Sequence, residues 1–201
     1  MQTNNLVISL KAALAQMARP SSDYDLNPNA ILPPDRTLRA AGVLVAIIQT
    51  PTGPSVILTK RSSALKHHPG QIAFPGGKMD DTDKDVTATA LREAQEEIGL
   101  DPSQVEIIGV LPAHETVTGF NITPVVGLVS GQFDPLPEEG EVEEVFFVPL
   151  DHLLTPERYS IQSRRWRDQK RKFYTVPWGP YYIWGATARI LRGLADQGKA
   201  R

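Results

Sequence analysis

The chain has 201 residues, 41% of them hydrophobic and 22% charged, with a formal net charge of -2 and an isoelectric point near 6.1. That length suits one domain with a sizeable core, and the near-neutral balance gives no reason to expect nucleic acid or an anionic membrane as the main partner. With no cysteine in the sequence, disulfides, a thiolate zinc site and a cysteine nucleophile are excluded, and any metal must be held by oxygen or histidine donors, which favours a hard cation.

No apolar run approaches the roughly 18 to 20 residues that span a bilayer. The opening "MQTNNLVISLKAALAQMARP" lacks a basic region ahead of a small-residue cleavage site, so the expected location is cytoplasmic. Val7, Leu10, Leu14 and Met17 recur at helical spacing and stop at Pro20, predicting a short amphipathic helix packed on the main domain. Residues 20–39, rich in Pro, Asn and Asp, read as an irregular connector, which divides the chain into a helix and connector over 1–36 and a main domain over 37–201.

"AGVLVAIIQT" and "SVILTKR", separated by Pro51, Gly53 and Pro54, predict a hairpin of buried strands. A loop, "SSALKHHPGQ", leads into "IAFPGG". Residues 86–98 form the best-patterned helix, with Ala88, Ala90, Leu91, Ala94 and Ile98 on its apolar face, Gly99 as the stop and Pro102 beyond. Strands are expected over 105–111, 122–129 and 142–148, then a short helix over 150–154, a charged hairpin around Asp168, and a final helix through "YYIWGATARILRGL". Strands flanking one strong helix, with another at the end, indicate a mixed α/β sandwich.

The stretch "ALREAQEEIGL" poses the chemical question. Residues three and four apart share a helical face, so Glu93, Glu96 and Glu97 project together and repel one another. A solvated acidic face would need compensating cations. Arg92 can reach Glu96, but along the helix no lysine or arginine serves Glu93 or Glu97. Mg²⁺ or Mn²⁺, which takes carboxylate oxygens and keeps waters and substrate phosphates, turns that repulsion into coordination. Upstream, "FPGGK" supplies Gly76 and Gly77, which permit close backbone approach beside a ligand.

Glycines ahead of Arg92-Glu93 and Glu96-Glu97-x-Gly99 resemble the signature of the Nudix hydrolases: Gly, five residues, Glu, seven residues, Arg-Glu-aliphatic-x-Glu-Glu-x-Gly-aliphatic. Arg92, Glu93, Glu96, Glu97, Gly99 and Leu100 match, with Ala94 as a small apolar substitute. The first half departs: five residues after Gly77 comes Asp83, and eight residues separate it from Arg92. The resemblance gives that first acid mainly an orienting role toward the arginine. "ILTKRSSALKHHPGQIAFPGG" is also similar to an additional motif of coenzyme A pyrophosphatases within the family. Leu58, Thr59, Arg61, Ser62, Gly70, Phe74, Pro75, Gly76 and Gly77 agree, while Ile57 and Lys66 replace Leu and Arg. Together the motifs cover residues 57 to 100, about a fifth of the chain.

The resemblance implies a Nudix-type α/β/α sandwich with a mixed sheet, requiring Mg²⁺ or Mn²⁺, that hydrolyses coenzyme A or a derivative to 3′,5′-ADP and 4′-phosphopantetheine. Glu93, Glu97 and Glu96 are the expected metal ligands. Glu97, Glu96, Arg92 and Glu141 are the expected catalytic group, Glu141 being placed by its position ahead of "VFFVPL". Arg61, Lys66, Gly76 and Gly77 are expected to meet the substrate. Other Nudix specificities (ADP-ribose, NADH, a nucleoside triphosphate) are the nearest rivals, and a non-catalytic ligand-binding or RNA-binding module on the same fold is the rival of a different class.

His67 and His68 have no third imidazole at ligand spacing, and His114 and His152 read as structural. "RRWRDQKRKF" carries six basic residues between Arg164 and Lys172. A solvated hairpin is the expectation there, with nucleic acid or a phosphate of the same small substrate as alternatives. Trp178, Tyr181, Tyr182 and Trp184 are expected to pack the last helix. Neither a nucleic acid nor a membrane partner is expected, and oligomeric state is open, a homodimer included.

Overall fold

"RAAGVLVAIIQT" forms strand β2 (Arg39–Thr50), in which every residue from 41 to 48 is buried. A continuous apolar run, not an alternating one, suits a strand covered on both faces. It turns back into β3 (Gly53–Arg61), with Ile47 opposite Val56 and Thr50 opposite Gly53, which is the expected hairpin. The structure is a computed structural model that describes residues 7–8, 10–12, 14–15, 19–30, 32, 35–166 and 169–198.

Around this hairpin stand β1 (Ser21–Ser22), β4 (Ile72–Ala73), β5 (Gly76–Lys78), β6 (Val105–Val110), β7 (His114–Glu115), β8 (Phe120–Val129) and β9 (Val142–Pro149). Among the described residues they make a nine-stranded sheet ordered β1-β7-β8-β2-β3-β4, with β5 also on β2, β6 on β8 and β9 on β3. β2 and β8 run parallel from Arg39/Phe120 to Ile48/Val129, and β1 is parallel to β7, whereas the other pairs are antiparallel. The sheet is therefore mixed. β10 (Ser160–Trp166) and β11 (Gln169–Thr175) form a separate hairpin, as expected, although Asp168 lies outside the described residues.

Helix α1 (Val86–Ile98) begins where the Asp85 carboxylate accepts from the N–H groups of Thr87 and Ala88, both at 2.9 Å, and stops at Gly99. Its fully buried Ala90, Ala94 and Ile98 pack on Leu44, Ala46 and Ile57 from one face of the sheet. The opposite face, with Val43, Val45, Val56 and Leu58, is covered by α2 (Leu150–Leu153) and α3 (Gly185–Gly198) through Leu150, Leu153, Leu191 and Leu194. Two cores around one mixed sheet make an α/β/α sandwich. Val7, Leu10 and Leu14 are helical and pack on the second core, with Leu10 buried; Met17 lies outside the described residues.

Two expectations change. The final helix starts at Gly185 and not at Tyr181, because Trp178 and Tyr181 exchange backbone hydrogen bonds of 3.0 and 2.9 Å and Val176 N–H donates to Ile183 O at 2.9 Å. Those groups are committed to bridges and cannot enter a helical ladder. Trp178 and Tyr181 lie against the core to which the last helix contributes; Tyr181 also stacks on Phe146 at 3.6 Å, Trp178 stands edge-on to His152 at 4.7 Å, and Trp184 lies 5.2 Å from Phe173. Tyr182 is exposed.

The connector is also more ordered than its composition suggests. Beyond forming β1, it is held by fully buried His114, whose Nδ1 lies 2.9 Å from Ser21 Oγ and whose Nε2 lies 3.2 Å from Asp23 Oδ1. Further along, Asn27 imitates a strand edge: its amide donates to Lys172 O at 2.9 Å and its carbonyl accepts from Lys172 N–H at 2.8 Å.

Candidate active site

The glycine pair forms strand β5, with Gly76 beside Val43 and Gly77 beside Gly42. This places a bare stretch of backbone under α1. The Gly76 N–H donates to Glu97 Oε2 at 3.1 Å. A Cβ on Gly77 would stand 2.5 and 2.6 Å from the two carboxylate oxygens of Glu93, so only glycine leaves room for that side chain. Gly76 has φ 150°, and a Cβ there would meet Gly42 O and Val43 Cα at 2.5 Å, which makes glycine obligatory for both reasons.

Glu97 is buried, and burial pushes its carboxyl up to about 7 against the pull of the Gly76 N–H and Arg61, while Glu93 and Glu141 push further in the same direction. Glu93 is likewise raised by burial, held back by Arg92, and raised further by the charges of Glu96 and Glu141. Glu93, Glu97 and Glu141 thus share one electrostatic neighbourhood. Glu141 lies in the turn just ahead of β9, where its carbonyl accepts from Ser62 N–H at 2.8 Å and its side chain is exposed.

The expectation that no cation serves Glu93 or Glu97 is overturned. Arg92 Nη1 lies 3.0 Å from Glu93 Oε1 as well as 2.7 Å from Glu96 Oε2, and Arg61, from the end of β3, brings Nη1 to 3.8 Å from Glu97 Oε1. Counting along the helix could see neither contact: Arg92 reaches its adjacent residue by folding back, and Arg61 arrives from another element. Glu96 itself is exposed and turned onto Arg92. Lys66 stands exposed on the loop between β3 and β4.

Asp83 meets Arg92 in a two-pronged pairing, Nε to Oδ1 and Nη2 to Oδ2, both at 3.0 Å, and accepts a further bond from Thr89 Oγ1 at 2.9 Å. The guanidinium, the Asp80 N–H and Thr89 hold this carboxyl well below the usual range. The residue added before the helix is absorbed in the turn over 80–85, where Asp80 N–H donates to Asp83 Oδ2 at 2.9 Å.

The donor set suits a hard divalent cation. It offers carboxylate oxygens and no sulfur or imidazole, and Glu93 and Glu97 are both raised by burial and by neighbouring carboxylates, so a cation relieves what burial penalises. Among the described residues no three acidic or histidine side chains stand at ligand spacing as they are. An ion held by Glu93 and Glu97 would complete its shell from water and substrate oxygens, the habit of Mg²⁺.

Comparison with known proteins identifies the family. A model of the NUDIX domain matches residues 38–174. A protein called uncharacterized Nudix hydrolase NudL from Pectobacterium atrosepticum is 45% identical over 166 residues, covering 83% of this chain and 86% of its own. A protein of the same name from Enterobacter sp. is 39% identical over 197 residues, covering 98% and 97%. A solved structure of a MutT/nudix family protein from Enterococcus faecalis, 14% identical, superposes with a TM-score of 0.50 over 83% of this chain and 64% of its own, a likeness of fold alone. The chain belongs to the Nudix hydrolase family.

Proposed function

We propose that this Nudix hydrolase cleaves the diphosphate of coenzyme A or one of its derivatives, with Mg²⁺ or Mn²⁺, giving 3′,5′-ADP and 4′-phosphopantetheine. The observation that carries the reading is the approach of Arg61 to Glu97, 3.8 Å apart. It joins the upstream segment resembling coenzyme A pyrophosphatases to the carboxylate helix in one site.

In this reading the cation, when bound, neutralises the diphosphate and lowers the pKa of water. Glu93 and Glu97 hold it, with Glu96 the neighbouring carboxylate on the same helix. Arg92 fixes Glu93 and Glu96 from the side, and Asp83 in turn fixes Arg92. Gly76 aims Glu97 through its N–H, and Gly77 leaves the opening over Glu93. Arg61 and Lys66 meet the charge of the diphosphate, and Glu141 accepts the proton of the attacking water. That water adds to one phosphorus, the bridging P–O bond breaks, and each half leaves as a phosphomonoester. Supplying coenzyme A, ADP-ribose, NADH and a nucleoside triphosphate in parallel tests the assignment. Coenzyme A is expected to have the highest kcat/KM, and preference for any of the others would refute it.

A further inference from the structure

The segment over 134–142 is anchored more firmly than the end of a helix requires. Gly99, in the left-handed region at φ 72°, already closes α1: its N–H donates to Gln95 O at 3.0 Å, and the Leu100 N–H donates to Ala94 O at 3.3 Å. The carbonyls of Glu97 and Ile98 come after that closure, where water ordinarily suffices. Here the chain itself serves them, Leu136 N–H donating to Ile98 O at 3.0 Å and Glu138 N–H to Glu97 O at 2.9 Å. Leu136 lies against the helix end, its Cβ 2.9 Å from where a Cβ on Gly99 would sit, yet it is 72% exposed, so apolar burial is not what holds the segment there. Pro135 and Pro137 flank it, each with φ fixed near about −65°.

The far end of the segment is tied to β3. Glu138 O accepts from the N–H groups of Glu141 at 3.2 Å and Val142 at 3.1 Å, and Glu141 O accepts from Ser62 N–H at 2.8 Å. Ser62 follows Arg61, which pairs with Val142 across β3 and β9 and brings its guanidinium to 3.8 Å from the Glu97 carboxylate. These contacts close a ring that starts and ends on Glu97, from its carbonyl through Glu138, Glu141, Ser62 and Arg61 to its carboxylate. Glu141 therefore cannot drift from Glu97 without breaking a member of the ring.

We propose that Glu138 is a positioning residue for the hydrolysis, its backbone N–H docking on the Glu97 carbonyl and so fixing Glu141 relative to Glu97. This rests on the function proposed above, in which Glu97 holds the cation and Glu141 accepts the proton of the attacking water. The Glu138 side chain is exposed, and the role belongs to its main chain.

Glu138→Pro removes that N–H, and the test reads it in two ways on the full chain. Without metal, amide hydrogen exchange is expected to quicken by at least about tenfold at Ser62 and Glu141, whose bonds depend on the docked segment; unchanged protection there would overturn the proposal. With Mg²⁺, kcat for coenzyme A is expected to fall by about ten- to a hundredfold while KM stays within about threefold. In a Glu141→Gln background the same substitution is expected to cost less than about twofold more, because the group it positions is already gone. A loss that multiplies in full there would reduce the N–H to a helix cap and overturn the proposal, as would a Glu138→Gln variant that loses as much as Glu138→Pro. If Glu138→Pro fails to fold, Pro137→Gly, which keeps every N–H and loosens the exposed segment, goes through the same measurements with the same expectations. Cleavage of ADP-ribose, NADH or a nucleoside triphosphate in place of coenzyme A, with the cycle holding on that substrate, would keep the positioning role and remove the coenzyme A assignment; cleavage of none of the four would remove both.

Discussion

Arg92 grips Asp83 with two parallel bonds of 3.0 Å and uses its remaining nitrogen on Glu93 and Glu96, so one guanidinium sets the orientation of three carboxylates. Removing Asp83 frees that guanidinium to turn toward Glu93. Asp83→Ala is expected to lower kcat by about ten- to a hundredfold, the usual effect of losing a partner that orients a ligand, with Asp83→Glu recovering part of it. Unchanged kcat in Asp83→Ala would show that Arg92 does not act through this pairing.

The two glycines of β5 are expected to fail differently. In Gly77→Ala the new methyl meets a side chain, that of Glu93, so activity falls by at least about tenfold as Glu93 is displaced, and thermal stability changes little. In Gly76→Ala the methyl meets the backbone of Gly42 and Val43 at a positive φ. The expected cost there is about 1–3 kcal/mol or more of stability, read as a lowered melting temperature. Equal melting temperatures for the two variants would contradict the assignment.

Glu97 gives a pH dependence of defined sign. Its folded carboxyl is raised to about 7 from an ordinary 4.5, so the metal-free fold binds a proton that the unfolded chain gives up sooner. That stabilisation is complete below about pH 4.5 and is lost as the pH rises through about 7. In chelator, melting temperature is expected to fall from pH 5 to pH 7.5, and Glu97→Gln to flatten the slope. Identical slopes in parent and variant would remove Glu97 as its source. Asp83 acts oppositely: its lowered carboxyl contributes stability that is lost as the pH falls below the ordinary aspartate range.

His114 tests the connector. It is fully buried between Ser21 and Asp23, so His114→Ala leaves a cavity and unpairs both. The expected loss is about 2–4 kcal/mol, measured by denaturant unfolding, and a loss near zero would mean that the connector is not held through this residue.

Much of this was legible in the sequence where local pattern decides structure. The run 41–48 announced a strand buried on both faces, and Ala90, Ala94, Ile98 and Gly99 gave α1 both its inner face and its end. The carboxylates of the site were legible because helical spacing alone brings Glu93, Glu96 and Glu97 to one face. What stayed hidden depends on distant parts of the chain. The Arg61–Glu97 approach spans β3 and α1, and Gly76–Gly77 becomes a strand only because β2 offers it an edge. Tyr181 and Trp184 carry helix-compatible neighbours, yet their backbone is held by bridges to Trp178 and Thr175. Asn27 pairs with Lys172 through a side chain acting as backbone, which composition cannot signal.

The most direct measurement is chromatography of coenzyme A incubated with the purified chain, with and without Mg²⁺ or Mn²⁺, beside Glu97→Gln. The account predicts 3′,5′-ADP and 4′-phosphopantetheine in equal amounts, absent without the cation and reduced by at least about a hundredfold in the variant. Intact coenzyme A under all conditions, or product formed equally by Glu97→Gln, would contradict it.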